Sequence, residues 1–235
     1  MNRTFRESAF QELKTKLKDS DKVLDVGGWH SPWNRANTII DIMPYETRNT
    51  DGALWKEFWS EERFTKDTFL QQDICSGKPF PFKDKEFDFV LCSNTLEDIR
   101  DPIQVCREMV RVGKAGFVEV PSRISESLRG SERPFYCGWY HHRWLCEVEG
   151  KKISFQFKPA MLHAYRKFHF RKPFHKKLNP KYESVGFFWE GTFEFEEKIV
   201  IERDDVQKSL VDFKARYQNT KDLFVRKYNW LGQRV

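Results

Sequence analysis

An α/β fold with a mostly parallel sheet is predicted by three features of the first half of this 235-residue chain. An apolar run, Lys22-Val23-Leu24-Asp25-Val26, stops at the glycine pair Gly27-Gly28. Further short apolar runs end in an acid, at Asp41 and at Asp73. Stretches with helical spacing alternate with these runs, the pattern of a parallel sheet covered on both faces.

Each element follows from local pattern. Residues 4–18 read as an amphipathic helix: Thr4 and Glu7 have capping-box spacing, and Phe5, Ala9, Leu13 and Leu17 fall on one face. Strands are expected at 22–26, 38–41, 69–73, 87–92 and 115–120, the last stopped by Pro121. About ten residues separate the first two, too few for a full crossover helix, so a loop carrying Trp29 and Trp33 is expected there. Leu54, Trp55, Phe58 and Trp59 have helical spacing, as do Val105, Met109 and Val112 in a helix from about Pro102 to Val112. In the second half, 143–149 and 152–157 read as a hairpin turning at Gly150. Residues 185–189 and 192–196 read as another, turning at Glu190-Gly191, and 204–228 as a helix with Val206, Leu210, Phe213, Tyr217 and Phe224 in a stripe.

Composition narrows the class. Apolar residues make up 39%, charged residues 32% and aromatics 16%, too apolar for a disordered chain and too charged for a membrane bundle. No apolar run reaches the roughly 18 residues of a spanning helix. The first residues lack a signal-peptide core, and five cysteines without CxxC spacing fit reduced thiols. A soluble cytoplasmic protein with no membrane span is the expectation. Charge is uneven: the formal total is +6, yet residues 1–125 carry 19 basic and 21 acidic side chains and residues 126–235 carry 22 and 14. The segment from Lys158 to Lys181 holds eight Lys or Arg, three His and no acid, interleaved with aromatics. That suits phosphates and stacking surfaces, or a solvated loop.

In open α/β sheets ligands bind beyond the carboxyl ends of the strands. Here those ends carry Asp25, Gly27 and Gly28, then Asp41, Asp73 and Asn94. Glycine permits close backbone approach, and an acid after the second strand can accept both hydroxyls of a ribose. A single such acid can equally cap a helix. GxGxxG, the dinucleotide fingerprint, is absent, and Asp25 beside the glycines suits a cationic ligand better than a pyrophosphate.

The blocks VLDVGG (23–28), IID (39–41), QQDI (71–74), PFPFKDKEFDFVLCSNTLEDIRDP (79–102) and RVGKAGFVEVPSR (111–123) resemble class I S-adenosylmethionine-dependent methyltransferases. The resemblance covers residues 20–123. It implies a Rossmann-like sheet with an antiparallel C-terminal strand pair and inserted cover, and S-adenosyl-L-methionine as cofactor. Carried across, Asp25, Gly27 and Gly28 match the glycine-rich motif. Asp41 with Ile42 matches the ribose-side pair, Asp73 with Ile74 the adenine-side pair, and Asn94 the residue beside the methionine moiety. Two departures stand out. Gly27 is followed by Gly28, Trp29 and His30 rather than by spaced glycines, and Asp98 stands where many relatives carry histidine after Leu-Glu. The chain divides at 123/124 into a cofactor-binding core (1–123) and a sheet-completing, substrate-covering region (124–235), within one compact domain.

The acceptor side falls to Cys137-Gly138-Trp139-Tyr140-His141-His142-Arg143. An imidazole is a ready proton acceptor near neutral pH, so His142 or His141 is the expected base. Trp139, Tyr140 and Arg143 are the expected substrate contacts. No metal is expected, because His141, His142 and Cys137 lack zinc-site spacing and HExxH is absent. The predicted reaction is methyl transfer to a hydroxyl, or otherwise a nitrogen, of a small-molecule or glycan-type acceptor that can bear phosphate. A non-catalytic binder of an anionic partner through 158–181 and a nucleic-acid methyltransferase are the alternatives. Against the last, no nucleic-acid module is recognisable, and Ser-Asn-Thr-Leu follows the fourth strand in place of Asn/Asp-Pro-Pro-Tyr/Phe.

Overall fold

The computed structural model describes residues 7–48, 61–173 and 176–226. Thr4 and Phe5, the stretch containing Leu54, Trp55, Phe58 and Trp59, and Phe174 and His175 lie outside these residues. The chain runs α1 (Glu7–Lys16), β1 (Val23–Val26), β2 (Thr38–Asp41), β3 (Phe69–Gln71), β4 (Phe87–Ser93), α2 (Pro102–Val112), β5 (Gly113–Pro121) and α3 (Arg123–Glu126). It continues through β6 (Trp144–Glu149), β7 (Lys152–Phe157), α4 (Met161–Ala164), β8 (Lys176–Leu178), β9 (Ser184–Glu190), β10 (Glu194–Lys198), α5 (Arg203–Tyr217) and β11 (Phe224–Arg226).

The main sheet has the order β3-β2-β1-β4-β5-β9. Its first five strands are parallel, and β9 lies antiparallel to β5 with Phe117 opposite Phe188. The apolar runs of the parallel strands are buried on both faces, and alternate residues sort into two cores. Leu24, Val26, Ile40, Val90, Cys92, Val118 and Val120 face α2, which contributes Val105, Met109 and Val112. Val23, Ile39, Phe89, Leu91 and Phe117 face α1, which contributes Ala9 and Leu13. The α2 start is set by Asp101, whose carboxylate accepts from the Gln104 amide, with Pro102 as the first helical residue.

The β1–β2 connection carries no helix, as its length predicts. Trp33 and Ala36 of this loop are fully buried and fill the layer where a crossover helix would pack. Arg35, itself buried, anchors the loop by donating to the carbonyls of Lys18, Asp19 and Asp21.

The first predicted hairpin forms as β6–β7. The second does not. β9 joins the main sheet beside β5, while β10 runs parallel to β7 in a separate sheet of order β10-β7-β6. The two strands are real but part company at Gly191. Phe193 tucks into the core against Phe187 and Trp189, and this redirects the chain. The long C-terminal helix is also shorter than its stripe suggests: α5 ends at Tyr217, and Phe224 belongs to β11, which pairs with β8. Among the described residues, no helix is long and apolar enough to cross a membrane.

Candidate functional site

A cavity of about 1030 Å³ opens beyond the carboxyl ends of β1, β2 and β4, where the strand order reverses. One corner is built by the sheet. Gly27 has φ of +74°, and a Cβ there would lie 2.2 Å from Thr95 Cγ2, so only glycine fits. Thr95 Oγ1 donates to the Gly27 carbonyl at 3.2 Å, tying the β1 and β4 ends together. Asp41 lines the cavity, with Oδ2 accepting from the Trp29 amide at 3.0 Å and Oδ1 from the Met43 amide at 2.8 Å. A carboxylate at this place is chemically suited to accept from ligand hydroxyls. Ile42 beside it is 56% exposed and presents an apolar face to the cavity. Asn94, at φ of +50°, completes this corner.

Four sequence candidates for the cofactor do not line the cavity. Asp25 is fully buried, and its Oδ2 accepts from the Trp33 amide at 2.9 Å. It folds the loop from within. A Cβ on Gly28 would lie 2.4 Å from that same oxygen, so the second glycine makes room for Asp25 rather than for a ligand. Asp73 turns back on its own chain, accepting from the Cys75 amide at 2.8 Å and pairing with Arg100 at 3.0 Å. The Cys75 amide, and then Arg100, hold its carboxyl below the usual range. Ile74 is core.

The other corner comes from the chain inserted between β5 and β9. Ser122 caps α3, a single turn whose four residues are all buried, and Arg123 fixes it to β6 through Glu147 at 3.1 Å. Glu126 is 1% exposed. One of its oxygens meets His142 Nδ1 at 2.6 Å and the other accepts from Lys158 Nζ at 2.6 Å. Lys158 also donates to the Trp139 carbonyl at 2.7 Å, and the Trp139 ring stacks on His142 with centroids 5.0 Å apart. Gly138 presses on Glu126, at φ of +64°, where a Cβ would sit 2.6 Å from the Glu126 carbonyl oxygen. Since Glu126 accepts, His142 donates from Nδ1, and Nε2 is left facing Asp98 Oδ1 at 3.6 Å. His141 packs edge-on to His142, with Nε2 3.9 Å from the same Asp98 oxygen.

Both histidines line the cavity, as do Trp139 and Tyr140. Arg143 does not. It is exposed, and its backbone links the Glu97 carbonyl to the Lys158 amide. The basic segment is also divided in a way its composition hides. Lys158 is a buried ion-pair partner, Phe168 and Phe170 are core, and Lys172 and Lys177 line the cavity. Glu126 and Lys158 were missed by sequence reasoning, since neither sits in a motif. The only signal was a lone acid among the small or apolar residues 124–128. Glu97, Asp98, Glu132 and Glu183 add acids to the cavity wall, and burial pushes the Glu183 carboxyl up. Burial likewise pushes the Cys137 thiol up to about 12, and all five cysteines are buried outside any disulfide. Burial raises the Cys75, Cys106 and Cys146 thiols as well, and a low thiolate content does not suit these four to a nucleophilic role.

Residues 38–117 match the family model described as "Methyltransferase domain". Among solved structures, the YcgJ protein from Bacillus subtilis is 19% identical over 50% of this chain and 52% of its own, with a TM-score of 0.36. A SAM-dependent methyltransferase from Aquifex aeolicus is 16% identical over 51% of this chain and 75% of its own, with a TM-score of 0.33. The match thus spans about half the length of the Bacillus subtilis structure. No curated protein is a significant match.

Proposed function

We propose that this chain, whose residues 38–117 match a methyltransferase-domain model, is a class I S-adenosylmethionine-dependent methyltransferase that moves the methyl group of S-adenosyl-L-methionine to a hydroxyl, or otherwise a nitrogen, of a small-molecule or glycan-type acceptor. The observation that carries this reading is a single cavity with two unlike corners, Gly27, Asp41, Ile42 and Asn94 at one and His141 and His142 at the other.

The first corner suits the cofactor. Asp41 offers acceptors for ribose hydroxyls, Ile42 an apolar face for a base, and Gly27 a backbone that a ligand can approach closely. The acids Glu97 and Asp98 on the cavity wall favour a cationic ligand. The cofactor supplies an electrophilic methyl on its sulfonium, so the protein's main task is to hold the acceptor in line; such positioning can contribute about 7–11 kcal/mol. Trp139 and Tyr140 provide ring faces for a sugar or aromatic acceptor. His142, oriented by Glu126 and by the Trp139 ring, presents Nε2 to take the acceptor's proton. Lys172 and Lys177 on the same cavity suit a phosphate or carboxylate carried by the acceptor.

The test is a screen of hydroxylated and phosphorylated acceptors with methyl-labelled cofactor, read by mass spectrometry. Label transfer by the native protein that falls sharply in His142→Ala, with cofactor binding kept, supports the reading. Equal transfer by the variant removes His142 from the chemistry.

A further inference from the structure

The two histidines and Asp98 do more than flank the cavity. Asp98 Oδ1 stands 3.6 Å from His142 Nε2 and 3.9 Å from His141 Nε2, and the three ligand atoms all lie within 4.8 Å of one another. Two imidazole nitrogens and one carboxylate oxygen thus converge on a single point at the cavity wall. In a cation site with bonds of about 2.0–2.2 Å, donors sit about 3.0–3.5 Å apart, so small side-chain shifts close the set. Asp98 and His141 are partly exposed and can make those shifts.

An independent observation points the same way. Histidines that bind metal commonly donate their other ring N–H to a carboxylate, which fixes the ring and raises its basicity as a ligand. His142 does this with Glu126 at 2.6 Å, and Glu126 is itself held by buried Lys158. His141 turns its second nitrogen, Nδ1, toward Glu132 Oε2 at 3.7 Å. Both rings therefore direct Nε2 at Asp98 and turn Nδ1 toward an acid.

We propose that Asp98, His141 and His142 bind one divalent first-row transition cation, of the Zn²⁺, Co²⁺, Mn²⁺ or Fe²⁺ kind. Two nitrogen donors with one oxygen disfavour Mg²⁺ and Ca²⁺, which take oxygen ligands. Three protein ligands leave coordination positions open toward the cavity. On the reading that the cavity holds the methyl acceptor, an acceptor hydroxyl occupies one of them. A cation there would favour loss of the hydroxyl proton to solvent, a role that the cation-free site leaves to His142 Nε2. Residue spacing alone does not point to this set, because Asp98 lies far from the histidine pair in sequence and arrives from the segment after β4.

The experiment titrates chelator-treated full-length protein with Co²⁺ alone and follows its visible absorption bands, with Zn²⁺ displacement measured by calorimetry. The expected result is about one Co²⁺ per chain, displaced by Zn²⁺, with affinity reduced at least about tenfold in Asp98→Asn and in His141→Gln and by about 10–100-fold in Glu126→Gln. Calorimetry with S-adenosylmethionine on the same samples reports folding and the cofactor corner separately. Cofactor binding without Co²⁺ binding overturns the cation site and leaves the proposed function standing. Co²⁺ binding unchanged in both Asp98→Asn and His141→Gln places the ion elsewhere and overturns it too.

Discussion

At the corner where Gly27, Asp41, Ile42 and Asn94 meet, backbone amides and strand ends hold the walls. At the corner of Glu126, His142 and Lys158, buried charges do. In the first, Gly27 admits no side chain and Asp41 accepts from two backbone amides. In the second, charges depend on one another. Removing one member of a buried charge set leaves the others desolvated without a partner, a larger loss than the set's net contribution to stability. The two corners should therefore respond differently to substitution: one in ligand affinity with a smaller loss of stability, the other in a larger loss of stability and in turnover.

The largest expected effect is on Glu126. Glu126→Ala strands Lys158 and removes the acceptor of His142, and should lower unfolding free energy by about 3–5 kcal/mol in chemical denaturation. A loss below about 1 kcal/mol would show that the charges do not hold this corner. Next, His142→Ala should lower turnover by about 10²–10⁴-fold with the affinity for S-adenosylmethionine nearly unchanged. Reduced cofactor affinity instead would merge the two corners into one. Asp41→Ala should weaken cofactor binding by about 1–3 kcal/mol, and chemical denaturation should show a loss of about 1–3 kcal/mol from the unpaired Trp29 and Met43 amides, smaller than at Glu126.

The smallest effect is at Asp73. Its folded carboxyl is held below the unfolded value, so its contribution is present at neutral pH and is lost as pH falls through the folded value. The pair with Arg100 is largely solvated, which limits the contribution to roughly 0.2–1 kcal/mol. Asp73→Asn should therefore destabilise slightly at neutral pH, with the difference shrinking in acid, and should leave cofactor affinity alone. A clear loss of affinity would return Asp73 to the cofactor corner.

The contrast also explains what could be read in the chain. The five parallel strands and α2 were legible because a strand buried on both faces carries a continuous apolar run, as in 89–92, and because Asp101-Pro102 is a helix start. Asp41 was legible by its place at a strand end. Asp25 and Asp73 have the same sequence signature yet turn inward, to the Trp33 and Cys75 amides. No local pattern separates an acid that lines the cavity from one that does not. The pairing of Glu126 with Lys158 spans 32 residues, and Lys158 heads a run of cations that looks solvated throughout. The parting of β9 from β10 was hidden for the same reason. Their alternation fits a hairpin, and only packing of Phe193 against Phe187 and Trp189 sends them to different sheets.

Isothermal calorimetry of S-adenosylmethionine against the intact chain, beside Asp41→Ala, reaches the central claim most directly. Saturable binding that weakens markedly in the variant is the predicted result. A folded native protein that takes up no heat with millimolar ligand, or a variant that binds as tightly as the parent, would contradict it.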